Sequence, residues 1–257
     1  MPARLHHTVE GPADAPVLVL SNSLGTTLEM WDDQAPALAE RFKVVRFDSR
    51  GHGRSEVPGG PYAIEELGRD VLALLEDLGL ERVHFCGLSM GGMTGMWLAI
   101  NAPERIDRLA LCSTSTHMPP AEDWHERARV VRTEGMRAIA DGAIERWFSA
   151  QGPQERPEAV ARVRQGLLDS PPEGYAASCE AIAAHDLREK VGAISAPTLV
   201  IAGDEDPSTP PDHMRFIADR VEGARLVDLE RARHLLNVEH PNRVTQELLA
   251  HFTEEDR

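Results

Sequence analysis

Cys86-Gly87-Leu88-Ser89-Met90-Gly91-Gly92 sets a serine inside G-x-S-x-G, directly after a short apolar run (Val83, His84, Phe85) and before a helical pattern. Strand, sharp turn and helix are the context in which such a serine becomes a nucleophile. The turn strains the backbone at Ser89, and glycines at 87 and 91 leave room for strand and helix to approach. The helix that follows sets backbone N–H groups beside the hydroxyl. The competing use is a glycine-rich turn whose serine caps a helix. The flanking strand and helix favour the nucleophile.

A serine hydroxyl needs a base, and the base needs an orienting carboxylate. After a nucleophile of this kind the chain order is serine, acid, histidine. Among eleven histidines, His234 follows the apolar strand Arg225–Leu229 by a short loop and precedes the last helix. His240 and His213 are expected to be solvated. For the acid, the strand Thr198–Ala202 runs into Gly203-Asp204-Glu205-Asp206-Pro207-Ser208-Thr209, where three carboxylates compete. Asp206 is the choice, because Gly203 opens the loop and Pro207 fixes the backbone just after it. Asp204 falls within the turn, where it is better suited to accept backbone N–H bonds.

Acyl transfer at Ser89 also needs two donors for the developing oxyanion. Met90, the residue after the nucleophile, supplies one backbone N–H. The second is expected from the loop after the first core strand, Ser21-Asn22-Ser23-Leu24-Gly25-Thr26-Thr27, with Leu24 as donor and Asn22 and Ser23 as braces. Asp48-Ser49-Arg50-Gly51-His52-Gly53-Arg54-Ser55 is dense in polar groups. It is expected to be a structural turn in which Asp48 and Arg50 satisfy each other and nearby backbone.

Six β-rich runs must carry these loops: Val17–Leu20, Lys43–Phe47, Arg82–Phe85, Leu109–Cys112, Thr198–Ala202 and Arg225–Leu229. They alternate with helical patterns at Ile64–Leu78, Ser89–Asn101 and Arg243–Phe252, which predicts an α/β architecture with a mostly parallel sheet. From about 117 to 190 no strand is expected. That span reads as helices punctuated by Pro119-Pro120, Pro153, Pro157 and Pro171-Pro172. The expected organisation is therefore a core of 1–116 and 191–257 with a helical cap at 117–190.

The 257 residues suffice for one large α/β unit. A net charge of −15 repels nucleic acid and anionic membrane surfaces, so neither is expected as a partner. It also obliges an anionic substrate to find a local cationic pocket. Three scattered cysteines, Cys86, Cys112 and Cys179, build neither a disulfide framework nor a metal site, and two of them end apolar runs. Met1–Gly11 has no apolar leader core and no window has the length of a membrane span, so a cytoplasmic protein is expected.

Together these residues resemble the α/β-hydrolase superfamily from about residue 15 to residue 252. The sharper likeness is to bacterial 3-oxoadipate enol-lactonases of the protocatechuate branch of the β-ketoadipate pathway. It rests on Ser21 to Trp31 in place of a His-Gly oxyanion loop, on Asp48 to Ser55, on Gly87 to Met93, on Arg146-Trp147-Phe148 and on His234 to Glu239. The resemblance implies an eight-stranded, mostly parallel sheet and a carboxylic ester hydrolase with no cofactor or metal. Its substrate would be a five-membered enol lactone with a carboxymethyl arm. Arg146 would then meet the substrate carboxylate, with Arg132 and Arg137 behind it, and Trp147 would wall the pocket. Some relatives carry a fused carboxymuconolactone decarboxylase unit; the sequence ends at Arg257 after the last expected helix, so none is expected here. A general carboxylesterase or a cofactor-free haloperoxidase-like hydrolase shares the triad. A non-catalytic ligand-binding scaffold is the reading from another class. Haloalkane dehalogenases carry an aspartate where Ser89 sits.

Overall fold

A computed structural model describes residues 1–253. Seven strands form one sheet: β1 (His7–Glu10), β2 (Val17–Ser21), β3 (Lys43–Phe47), β4 (Val83–Leu88), β5 (Ile106–Cys112), β6 (Thr198–Gly203) and β7 (Arg225–Leu229). Their order is β1-β3-β2-β4-β5-β6-β7, and only β1 runs antiparallel. The central strands are buried throughout, as a parallel sheet covered on both faces requires. β4 and β6 accordingly read as near-continuous apolar runs.

Among the described residues the α-helices are α1 (Ala35–Leu38), α2 (Ile64–Asp77), α3 (Met90–Asn101), α4 (Ala121–Glu134), α5 (Arg137–Trp147), α6 (Gly152–Glu155), α7 (Pro157–Asp169), α8 (Pro172–Ala183), α9 (Pro211–Ala218), α10 (Leu236–Glu239) and α11 (Pro241–Thr253). Amphipathic α2 starts where the Glu66 carboxylate accepts the Ala63 N–H at 3.0 Å, and it ends before Gly79 at φ +66°. α3 is apolar on nearly every side and packs against both α2 and the sheet. Helices α4 to α8 fill the chain between β5 and β6, and α4 lies along α8. The base of this segment closes with a bridge between His117 and Asp186 and with the Leu187 N–H on the Thr116 carbonyl, 2.8 Å.

Two expectations change. The sheet has seven strands among the described residues, not eight. The chain before His7 does not extend the sheet; it bonds the Asp48–Glu56 turn, with the Asp48 N–H on His6 O and the Glu56 N–H on Arg4 O. The short β1 carries no clear alternation to mark it in sequence: three of its four residues are half-buried and its apolar Val9 is exposed. The second change concerns Asp48 and Arg50, which do not pair. Arg50 forms a two-pronged ion pair with Asp70 of α2, at 2.6 and 2.7 Å, and lies 3.1 Å from Glu66. Asp48 instead accepts the Leu28 N–H at 2.8 Å and the Arg54 N–H at 3.0 Å.

The strand order reverses direction between β2 and β4: from β2 the chain goes outward to β3, then returns across β2 to β4. Ligands bind in the crevice at the carboxyl ends of strands where the order reverses. The register pairs Ser21 with Gly87, so the loop after β2 and the turn after β4 emerge side by side.

Candidate active site

Ser89 occupies that turn with φ 56° and ψ −116°, a conformation L-residues rarely adopt. Three hydrogen bonds hold it there. The Ser89 N–H donates to Cys112 O at 2.9 Å, and its own carbonyl accepts Thr114 Oγ1–H at 2.7 Å and the Met93 N–H at 3.0 Å. The neighbouring glycines are sterically compelled. A Cβ on Gly87 would collide with the Gly91 carbonyl, one on Gly91 with the Ser21 backbone, and one on Gly92 with Thr114.

His234 and Asp206 lie together, both buried, with His234 Nδ1 2.9 Å from Asp206 Oδ2. Because Nδ1 faces a carboxylate it carries the proton, which leaves a lone pair on Nε2. Asp206 also accepts the Ser208 N–H at 2.7 Å, the Thr209 N–H at 3.1 Å and Thr209 Oγ1–H at 2.7 Å. Burial pushes the Asp206 carboxyl up, but the His234 contact and the Thr209 hydrogen bonds prevail and hold it below the usual carboxylate range. Asp204, the rejected alternative, accepts the Ala232 N–H at 3.3 Å, a backbone role. His213 and His240 are half-buried rather than solvated. His213 packs from the first turn of α9 close enough to feel the Asp206 charge, and His240 Nε2 faces Arg231 O at 3.2 Å.

One cavity is lined by Ser89 and His234, by Ser23 and Leu24 of the loop after β2, and by Arg127, Arg146, Trp147 and Tyr175 of the helical segment. The amides flanking Leu24 and Met90 are engaged: Ser23 N–H on Met30 Sδ (3.4 Å), Gly25 N–H on His52 Nε2 (2.9 Å) and Gly91 N–H on Asn22 O (3.0 Å). Among the described residues the Leu24 and Met90 N–H groups donate to no acceptor. Asn22 braces the loop as expected, through Nδ2–H on Phe47 O at 2.6 Å. Ser23 lines the cavity instead.

Arg146 and Trp147 reach the cavity. Arg132 does not: it pairs with Glu173 and Glu180 on α8. Arg137 is likewise absent from the lining. Arg127 takes their place, its guanidinium 4.5 Å from the Trp124 ring centroid. No carboxylate forms an ion pair with Arg127 or Arg146 among the described residues, although Asp123 lines the same cavity. Burial, and then the charge of Arg127, lowers Arg146. Arg127, Thr209 and His52 went unassigned in sequence. For Thr209 a signal existed, since Asp206-Pro207-Ser208-Thr209 has the spacing at which an aspartate gathers the donors two and three residues on. For Arg127 none did.

No group of histidine, cysteine or acidic side chains among the described residues is arranged to hold a metal ion. Cys86, Cys112 and Cys179 are free and buried. Among the described residues no helix is long and apolar enough to cross a membrane.

The alpha/beta hydrolase fold model matches residues 16–142 and 146–241. The chain is 43% identical to 3-oxoadipate enol-lactonase 2 of Acinetobacter baylyi over 92% of this chain and 88% of that one. It is 37% identical to 3-oxoadipate enol-lactonase 1 of the same organism, over 93% and 89%. The crystal structure of the enol-lactonase from Burkholderia xenovorans superposes with a TM-score of 0.96 at 45% identity, covering 98% of this chain and 97% of that one. The family model and the sequence identity agree over nearly the whole length: the chain belongs to the alpha/beta hydrolase fold family.

Proposed function

We propose that this protein is a carboxylic ester hydrolase that opens 3-oxoadipate enol-lactone to 3-oxoadipate. The observation that carries the reading is one cavity combining Ser89 and the His234–Asp206 pair with two arginines that form no ion pair with an acidic side chain among the described residues. His234 Nε2 takes the proton of Ser89 Oγ as that oxygen attacks the lactone carbonyl, and Asp206 holds the imidazolium that results. The Leu24 and Met90 N–H groups carry the tetrahedral oxyanion. Collapse breaks the ring C–O bond and expels an enolate oxygen, which takes up the proton held by the His234 imidazolium and then ketonises, leaving His234 neutral again. Water, deprotonated by His234, attacks the acyl group on Ser89 and releases the acid.

Arg146, with Arg127 beside it, binds the carboxymethyl arm by charge-assisted hydrogen bonds, and Trp147 walls the pocket. Residues 117–190 act as the cap on a core of 1–116 and 191–257, and the setting is cytoplasmic. The identity to the two Acinetobacter baylyi enol-lactonases supports this substrate over a simple ester.

The test is turnover of freshly generated enol-lactone, followed by loss of its ultraviolet absorbance, beside p-nitrophenyl esters. A clear preference for the lactone is expected. A preference for simple esters overturns the substrate while leaving the hydrolytic mechanism. Failure of an organophosphonate to label Ser89 overturns both.

A further inference from the structure

The busy turn between Asp48 and Ser55 touches the proposed site at one point. His52 is wholly buried at the floor of the loop after β2. Its Nδ1 lies 3.0 Å from Arg50 O, and its Nε2 lies 2.9 Å from the Gly25 nitrogen. A carbonyl on one side demands a proton on Nδ1, and an N–H on the other demands a bare lone pair on Nε2. One neutral tautomer satisfies both. Burial opposes the charged ring and pushes His52 below the usual histidine range, against the smaller pull of Arg50 O and Asp48.

Gly25 shows why that acceptor matters. It sits at φ +75°, and a Cβ there would run into Leu167 and Tyr175 of the helical segment. The loop is thus pressed from above by α7 and α8 and tied from below by His52. The Gly25 N–H belongs to the peptide that follows Leu24 directly. The Leu24 N–H lies in the preceding peptide, joined to this one through the Leu24 Cα, so a shift of Gly25 would displace the Leu24 N–H with it. Thr26 holds the Ser23 carbonyl, which shares a peptide with the Leu24 N–H, through its Oγ1–H at 2.8 Å and its N–H at 3.2 Å. That peptide is tied on one side by Thr26, and its successor on the other by His52. Asn22 on Phe47 and Leu28 on Asp48 act elsewhere.

We infer that His52 is a positioning residue of the hydrolase, an uncharged acceptor that holds the Leu24–Gly25 peptide so that the Leu24 N–H meets the oxyanion. The inference rests on the hydrolytic reading of Ser89 but not on the enol-lactone. It separates His52 from its neighbours in the turn, whose bonds serve the fold.

The experiment compares His52→Leu with His52→Gln, whose side-chain oxygen can accept the Gly25 N–H from nearly the same place. An uncharged p-nitrophenyl ester is the substrate, and phenylboronic acid, which forms a tetrahedral adduct on serine, is the inhibitor. We expect His52→Leu to lower kcat about ten- to a hundredfold with KM nearly unchanged, and to weaken phenylboronic acid by a similar factor. His52→Gln should recover most of both, while the two variants melt at similar temperatures. Equal losses in the two variants, or a loss carried by KM with boronate affinity intact, overturn the inference. Failure of the lactone reading would appear separately, as lack of lactone turnover by the unaltered protein.

Discussion

The Leu235 N–H donates to the Trp147 carbonyl at 3.1 Å, so the residue after the proposed base hangs from the helix that walls the cavity. Two further ties reinforce the joint. The Glu239 carboxylate accepts the Ser149 N–H at 2.7 Å and the Arg233 N–H at 2.8 Å, and the Arg233 side chain donates to Glu145 O at 2.6 Å. The loop bearing His234 is therefore tied to α5 and to the residues just after it.

Removing the Glu239 carboxylate should loosen that joint. Glu239→Ala leaves two amides without their acceptor, which costs about 2–4 kcal/mol. Urea unfolding should show the loss, and kcat should fall more than KM because the base is displaced rather than the pocket. Unchanged kcat in folded Glu239→Ala would show that the joint does not position His234.

Arg146→Ala and Arg127→Ala should each raise KM for the enol-lactone several-fold and barely affect an uncharged ester. Losing one hydrogen bond to a charged partner costs about 1.5–3 kcal/mol. Steady-state kinetics on the two substrates check this. Equal effects on lactone and ester would remove both arginines from carboxylate recognition.

Acid should destabilise the fold above the pH at which carboxylates alone would do so. Burial lowers His185 and His251 to about 4, from the ordinary 6.5. The unfolded chain then binds more protons between those values, so stability falls as pH drops from about 6.5 to about 4. Each group contributes up to about 3 kcal/mol across that window. Asp206, held below its usual range, adds its loss only lower still, as pH falls through its folded value. Calorimetry should find a lower Tm at pH 4.5 than at pH 7. His251→Gln, which can still donate to Leu109 O, should shrink the difference. An undiminished difference would clear His251.

The strain at Ser89 should be measurable. Ser89→Ala keeps a side chain at φ 56°, whereas Ser89→Gly does not. Both should be inactive, and the glycine variant should be about 1 kcal/mol more stable than the alanine variant. Equal unfolding midpoints in urea would mean that the turn stores no such strain.

Much of this was legible in the chain. Ser89, Asp206 and His234 each follow a short apolar strand, and a loop at a strand end is where backbone freedom and burial both serve a reactive side chain. The strands at Lys43–Phe47 and Arg225–Leu229 appear with the expected bounds, because turn residues bracket them. What failed depended on distance across the fold. Arg50 chose Asp70, twenty residues on, over its near neighbour Asp48. Arg132 and Arg127 sit five positions apart on one helix, yet α8 offers acids to the first alone. No local pattern distinguishes a neutralised arginine from one facing a cavity.

The two arginines bear on departure as well as capture. On the proposed reaction the substrate brings one carboxylate and the product leaves with two. The second is created at Ser89, on the side of the cavity where Asp206 stands behind His234. In that proposal the first carboxylate is met by Arg127 and Arg146, which line the same cavity from α4 and α5. Ring opening thus places a new anion near an existing one, inside a protein of net charge −15. On that reaction, the net charge that obliges the substrate to seek a cationic pocket repels the dianionic product more strongly than the monoanionic substrate.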